Sequence, residues 1–159
     1  MKILRLLIAV SLVLLVQTQI IDRYPWVQLL DLFLLLNVYF ALNFDQLTCM
    51  GISLPSGLLQ DAFSKGIIGM NAFSKTVVVF LISGLSSRLM LKHPLVIMLL
   101  VFFATLLDIF LIRGLHMLFG QNVSTFNLKI IFIAASLNSV VGLISFQIAD
   151  RIRLKKQYA

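Results

Sequence analysis

Residues 47–63 read LTCMGISLPSGLLQDAF, Leu47 to Phe63. Whether this stretch crosses a membrane decides the topology of everything around it. It is apolar enough to enter a bilayer, yet it holds Thr48, Gly51, Ser53, Pro55, Ser56 and Gly57 and ends on a carboxylate, Asp61. Read alone, it predicts a short or broken helix. An ionised side chain in hydrocarbon costs roughly 2.5–3.5 kcal/mol on insertion scales, so Asp61 requires a partner.

The rest of the chain supplies the context. Its 159 residues are 60% hydrophobic and 12% charged, with a mean hydropathy of +1.05. Soluble domains carry about 25% charged residues, and a chain of this length cannot bury so much apolar surface in one soluble core. The composition predicts an all-α polytopic membrane protein. The apolar runs are long and unalternating, unlike the ~10-residue strands of a membrane β-barrel.

Besides the quoted stretch, five apolar segments are legible: 3–21, 26–44, 66–90, 94–119 and 128–149. The first has a basic start, Lys2 and Arg5, but VQTQIIDRYP offers no small-residue cleavage site, so it reads as an uncleaved span. The second opens at Pro25, with Trp26 as an interfacial anchor. Charge placement then tests segment 47–63. With six crossings, one side holds Lys2, Arg5, Arg88, Lys92, Arg151, Arg153, Lys155 and Lys156, and the other holds only Arg23, Lys65 and Lys129. Omitting the quoted stretch would split the basic termini between the two sides. The positive-inside rule therefore predicts six spans in a single domain, 1–159, with both termini cytoplasmic. The net charge of +7 is explained by loops that face anionic lipid, which removes a nucleic-acid reading. The tail RIRLKK could still touch a cytoplasmic partner.

This topology places five ionisable groups at similar depth near the outer side: Asp31, Asp61, Lys75, Asp108 and Arg113, with Asn71 beside them. Two readings fit. The groups form a polar pocket or docking site, or they pair as interhelical glue, with Arg113 snorkelling outward. Gly57 lies four residues before Asp61 on the same helix face. It would admit a neighbouring helix and bring a partner to Asp61, namely Lys75, Arg113 or Lys65. In the last segment Ala134, Asn138 and Gly142 recur every four residues as a small, mildly polar packing stripe. It suits an internal interface or the transmembrane helix of a partner.

Catalytic and cofactor chemistry finds little footing. There is no phosphate loop, HExxH or GxSxG. The lone Cys49 and the distant His93 and His116 build no metal site. The flanks of Asp61 and Asp108, QDAF and LDIF, do not resemble those of intramembrane aspartyl proteases. A non-enzymatic protein without cofactor or metal is expected.

The stretch GLLQDAFSKGIIGMNAFSKTVVVFLISGL, Gly57 to Leu85, resembles the signature region of the bacterial rod shape-determining MreD family. The matching positions are Gly57, Gln60, Asp61, Gly69, Asn71 and Ala72. Size, short loops and a short basic tail agree along almost the whole chain. The resemblance implies a non-catalytic inner-membrane component of the cell-elongation machinery that binds MreC, a bitopic partner. It further implies an association with MreB filaments and with the RodA–transpeptidase pair, and it leaves self-association open. In fold it implies a likeness to the substrate-binding subunits of energy-coupling-factor vitamin transporters. The first segment, ILRLLIAVSLVLL, lacks the paired small residues with which those subunits dock. A solute-binding transporter subunit is the competing expectation.

Overall fold

A computed structural model describes residues 29–63, 67–86, 93–120 and 127–155, without the side chains of 152–155. The first apolar segment, Trp26, Lys65, Arg88, Lys92 and, in the basic tail, Lys156 and the side chains of Arg153 and Lys155 lie outside the described residues. Among the described residues the chain is all-helical. Its five helices are α1 (Leu32–Asn43), α2 (Gln46–Phe63), α3 (Met70–Ser86), α4 (Pro94–Leu118) and α5 (Leu128–Lys155). Two of them, α4 and the Leu128–Arg151 part of α5, are long and apolar enough to cross a membrane.

Local chemistry sets the helix ends. Leu29–Asp31 are not α-helical, and Asp31 caps α1 by accepting from the Leu34 amide at 2.9 Å. Within the apolar segment 26–44, α1 therefore starts at Leu32, where an Asp oxygen satisfies a first-turn amide. Asp45 performs the same task for α2, with its carboxylate 2.8 Å from the Thr48 hydroxyl and 3.1 Å from the Thr48 amide. Those bonds, the hydroxyl's foremost, hold the Asp45 carboxyl below its ordinary value. Pro94 occupies the first turn of α4, where its missing N–H is harmless. Gly120, at φ +67°, follows the end of α4. The last helix runs beyond Ala149 into the basic tail.

The helix α2, over the stretch read as a short or broken helix, is continuous across 18 residues. Pro55 lies inside it without interrupting the helix. Its buried residues are Cys49, Ser53, Ser56, Gly57 and Asp61, all on one face at helical spacing. This face is polar and points inward.

The same inversion recurs in the other helices. Asn37, Ser74, Lys75, Thr105, Asp108, Asn138 and Ser139 are buried, while Leu81, Leu99, Phe103, Phe132 and Ile133 are exposed. An apolar core of Leu34, Val38, Val78, Val79 and Val101 fills the space where α1, α3 and α4 meet. Next to it, Asn37 Nδ2 donates to Ser56 Oγ at 2.9 Å, pinning α1 to α2. Gly142 faces inward, where a Cβ would lie 3.1 Å from Leu35 and 3.2 Å from Val101.

The closest approach is between α2 and α3. A Cβ at Gly57 would fall 2.6 Å from the Ala72 nitrogen and 2.8 Å from the Asn71 carbonyl carbon. Backbone cannot yield as a side-chain tip can. Gly57→Val should therefore force the two helices apart and destabilise the fold by about 1–3 kcal/mol or more. Cys49, the single cysteine of the chain, is buried, so its rate of thiol modification on heating reads unfolding directly. Modification of Gly57→Val at or above the wild-type temperature would contradict this packing.

Candidate functional site: a buried ion network

The first turn of α3 begins after Gly69, whose φ of +103° turns the chain sharply into the helix. Helix starts leave amides without partners in the helix itself. Here Asp61, from the end of α2, collects them. Its Oδ2 accepts from Gly69 N at 2.8 Å and Ala72 N at 3.3 Å. Its Oδ1 accepts from Asn71 N at 3.1 Å and Asn71 Nδ2 at 2.7 Å. The remaining first-turn amide, Met70 N, donates to the Ile67 carbonyl at 3.4 Å. Asp61 is thus a cap delivered from another helix, and the carboxylate lies at the positive end of the α3 dipole. Of the three partners expected for Asp61, Lys65 lies outside the described residues, and Asn71 stands between Asp61 and Lys75; among the described residues Asp61 also accepts from three backbone amides.

Lys75 lies one turn into α3 with its side chain wholly buried. Its ammonium donates to Asp31 Oδ2 at 2.8 Å and to Asn71 Oδ1 at 3.2 Å, and Asp108 Oδ2 is 3.6 Å away. Asp108 in turn accepts from the Ser74 hydroxyl at 2.6 Å through Oδ1. A buried ion pair offsets its desolvation only when the remaining donors and acceptors are also satisfied. Here two neutral neighbours on the same helix contribute, Asn71 accepting from Lys75 and Ser74 donating to Asp108.

Asn138 completes the arrangement from α5. The non-helical backbone before α1 leaves a carbonyl and an amide that need partners in apolar surroundings. Asn138 Oδ1 accepts from Asp31 N at 3.0 Å, and Nδ2 donates to Leu29 O at 3.1 Å. Ala134 is buried as well. The stripe Ala134–Asn138–Gly142 therefore faces the protein's own interior.

The structure brings Asp31, Asp61, Asn71, Lys75 and Asp108 into one connected network. Arg113 lies beside it, half-buried, and lines a cavity of about 240 Å³ together with Asp31, Asp108 and Asn138. Gln60 is half-buried, and its Oε1 is a buried oxygen without a hydrogen bond. Sequence reasoning missed Ser74 and Ser56. The signal was available: Asn71, Ser74 and Lys75 share a face of α3, as Ser53, Ser56 and Gly57 do of α2, and polar residues at helical spacing in an apolar helix mark its inward side. Among the described residues no group of three or more metal-ligating side chains occurs.

In chemical terms the network spends its polar groups on one another. No family model, curated protein or solved structure matches the chain. The resemblance to the MreD family rests on the sequence positions quoted for it, among which Gly57, Asp61, Asn71 and Ala72 meet at the α2–α3 junction.

Two substitutions test this description. Lys75→Met should cost about 3–5 kcal/mol by stranding buried carboxylates, and adding Asp108→Asn should recover part of that loss. Equal stability of the single and double variants in thermal unfolding would contradict the pairing. Asp61→Ala, which abandons the α3 amides, should lower stability by about 1–3 kcal/mol. Hydrogen exchange at Asn71 and Ala72 should accelerate ahead of the mid-helix amides of α3.

Proposed function

We propose that the chain is a six-span protein of the bacterial cytoplasmic membrane, with cytoplasmic termini, that acts without catalysis as an MreD-like scaffold of the cell-elongation machinery. One observation carries the reading. The described helices bury a connected ion network beside their apolar core and expose large apolar side chains such as Leu99, Phe103 and Phe132. An apolar exterior of that extent suits hydrocarbon and not water. A network whose carboxylates are tied to an ammonium and to a helix start suits a rigid structural part better than a catalyst, which keeps an acid or a base available to its substrate.

The scaffold would present its helix faces to a bitopic MreC-like partner. An apolar groove of about 610 Å³ between α3 and α4, bordered by Leu81, Leu85, Leu99 and Phe103, would receive a transmembrane helix. The basic loops and tail would lie toward lipid headgroups and the MreB filament side, and the RodA–transpeptidase pair would join through the same assembly. A solute-binding transporter subunit, sharing the energy-coupling-factor fold, is the second reading. It is favoured only by the cavity beside Arg113 and disfavoured because Asp61, Asn71 and Lys75 are occupied with one another.

A mild-detergent pull-down of the tagged chain, with mass spectrometry of proteins and small molecules together, separates the two. The scaffold reading expects a bitopic coiled-coil protein and no stoichiometric solute. Leu99→Trp in the groove should lower its recovery by about tenfold, near 1.4 kcal/mol, without shifting the Cys49 unfolding temperature. Recovery of an ATPase module or a vitamin would replace the scaffold by the transporter subunit.

A further inference from the structure

Asp108 is the one carboxylate of the ion network with an oxygen still short of a donor. Its Oδ1 takes the Ser74 hydroxyl at 2.6 Å. Among the described residues, Oδ2 meets the Lys75 ammonium at 3.6 Å, close enough for charge but too long for a hydrogen bond. A buried carboxylate oxygen is costly until a donor reaches it. Asp108 lines the cavity of about 240 Å³ where the start of α1 meets α4 and α5, and Asp31 lines it too. The Asp31 side chain stays 20% accessible, although the ammonium it binds is wholly buried. Hydrocarbon cannot serve that edge of a carboxylate.

The cavity also has a direction. Its wall runs along α4 from Thr105 to Arg113 and along α5 from Asn138 back to Ile130, about 12 Å on each helix. Thr105 and Asn138, at the deep end, are buried and polar, while Ile130, in the first turn of α5, is a half-exposed rim. The wall thus descends from the outer end of α5 to the ion network.

Water occupies a cavity that is roomy and offers it roughly two to four polar partners. At roughly 30 Å³ per molecule in the liquid, about 240 Å³ accommodates several waters. We propose that this cavity is an aqueous vestibule, open at the outer face, in which water donates hydrogen bonds to Asp108 Oδ2 and to the accessible edge of Asp31. Carboxylate oxygens that already accept one hydrogen bond can accept another, so water joins the Lys75 network without dismantling it. Small hydrophilic molecules outside the membrane then reach the level of the buried ion pair without entering lipid, and the rim at Ile130 limits their size. This vestibule presupposes the membrane-embedded reading of the bundle, with Ile130 toward the outer face, and is independent of which protein partner the bundle holds.

Thiol labelling of the full chain in right-side-out spheroplasts tests it. The probe is a charged methanethiosulfonate that does not cross membranes, and cysteine is placed either at Ile109, on the cavity wall, or at Leu137. Leu137 neighbours Asn138 in sequence, yet it is turned outward and 39% exposed, more than the half-buried Ile109. Water in the cavity inverts the order that exposure alone would give. Ile109→Cys should react at least about tenfold faster than Leu137→Cys, because only a hydrated thiolate attacks the reagent. Adding Ile130→Trp at the rim should slow the Ile109→Cys reaction by a similar factor. The native Cys49 is buried, and its modification on heating checks that each variant is folded. No reaction at Ile109→Cys, or reaction only after the spheroplasts are opened, overturns the vestibule, as does a rate that Ile130→Trp leaves unchanged. Equally fast reaction of Ile109→Cys and Leu137→Cys would place the outward surface in water and overturn the embedded reading itself.

Discussion

The Lys75 ammonium, wholly buried and 2.8 Å from Asp31, is the point on which the five described helices converge. It projects from α3 and binds the cap of α1 directly. It pairs with Asp108 of α4 and reaches Asp61 of α2 through Asn71. The fifth helix enters one bond further out, where Asn138 holds the backbone of Asp31. Unlike a cluster of leucines, this arrangement is directional. Each helix must sit at a fixed height and rotation for its polar group to arrive, and a displaced helix would leave a carboxylate or an ammonium stranded. In apolar surroundings the hydrophobic effect gives helices little reason to choose one neighbour over another. Such a network supplies that choice.

Backbone geometry and side-chain chemistry cooperate at the α2–α3 junction. Gly57 removes the Cβ that would collide with Ala72. The contact it permits places Asp61, one turn later, over the amides of Gly69, Asn71 and Ala72. Neither residue would serve without the other. The carboxylate could not reach the helix start across a wider gap, and close contact without an acceptor would bury unsatisfied N–H groups.

Much of this was legible in the residues. The apolar runs overlap the five described helices, and the scarcity of charge singled out Asp31, Asp61, Lys75, Asp108 and Arg113 as the groups to explain. What escaped was how they pair. Charge alone suggests that an Asp seeks a Lys or an Arg, whereas among the described residues Asp61 accepts from three main-chain amides, which are invisible in a sequence because every residue but proline has one. Within the apolar run from Trp26 to Phe44, Asp31 acts as a cap and not as a charge within a helix. The stripe of α5 was recognised as a packing surface, but spacing cannot say whose helix it packs against. The inward position of Gly142 against Leu35 and Val101 answers that.

The polar face of α2 also bears on how the protein is made. Ser53, Ser56 and Asp61 leave this helix too hydrophilic to be counted, among the described residues, with the long apolar ones. Its carboxylate is satisfied by a segment synthesised after it. A nascent chain emerging one helix at a time would have to hold α2 in a poorly solvated state until residues 69–72 appeared. The embedded reading thus makes α2 and α3 a single unit of biogenesis: a hairpin that partitions into the bilayer together, with the later helix carrying the earlier one in.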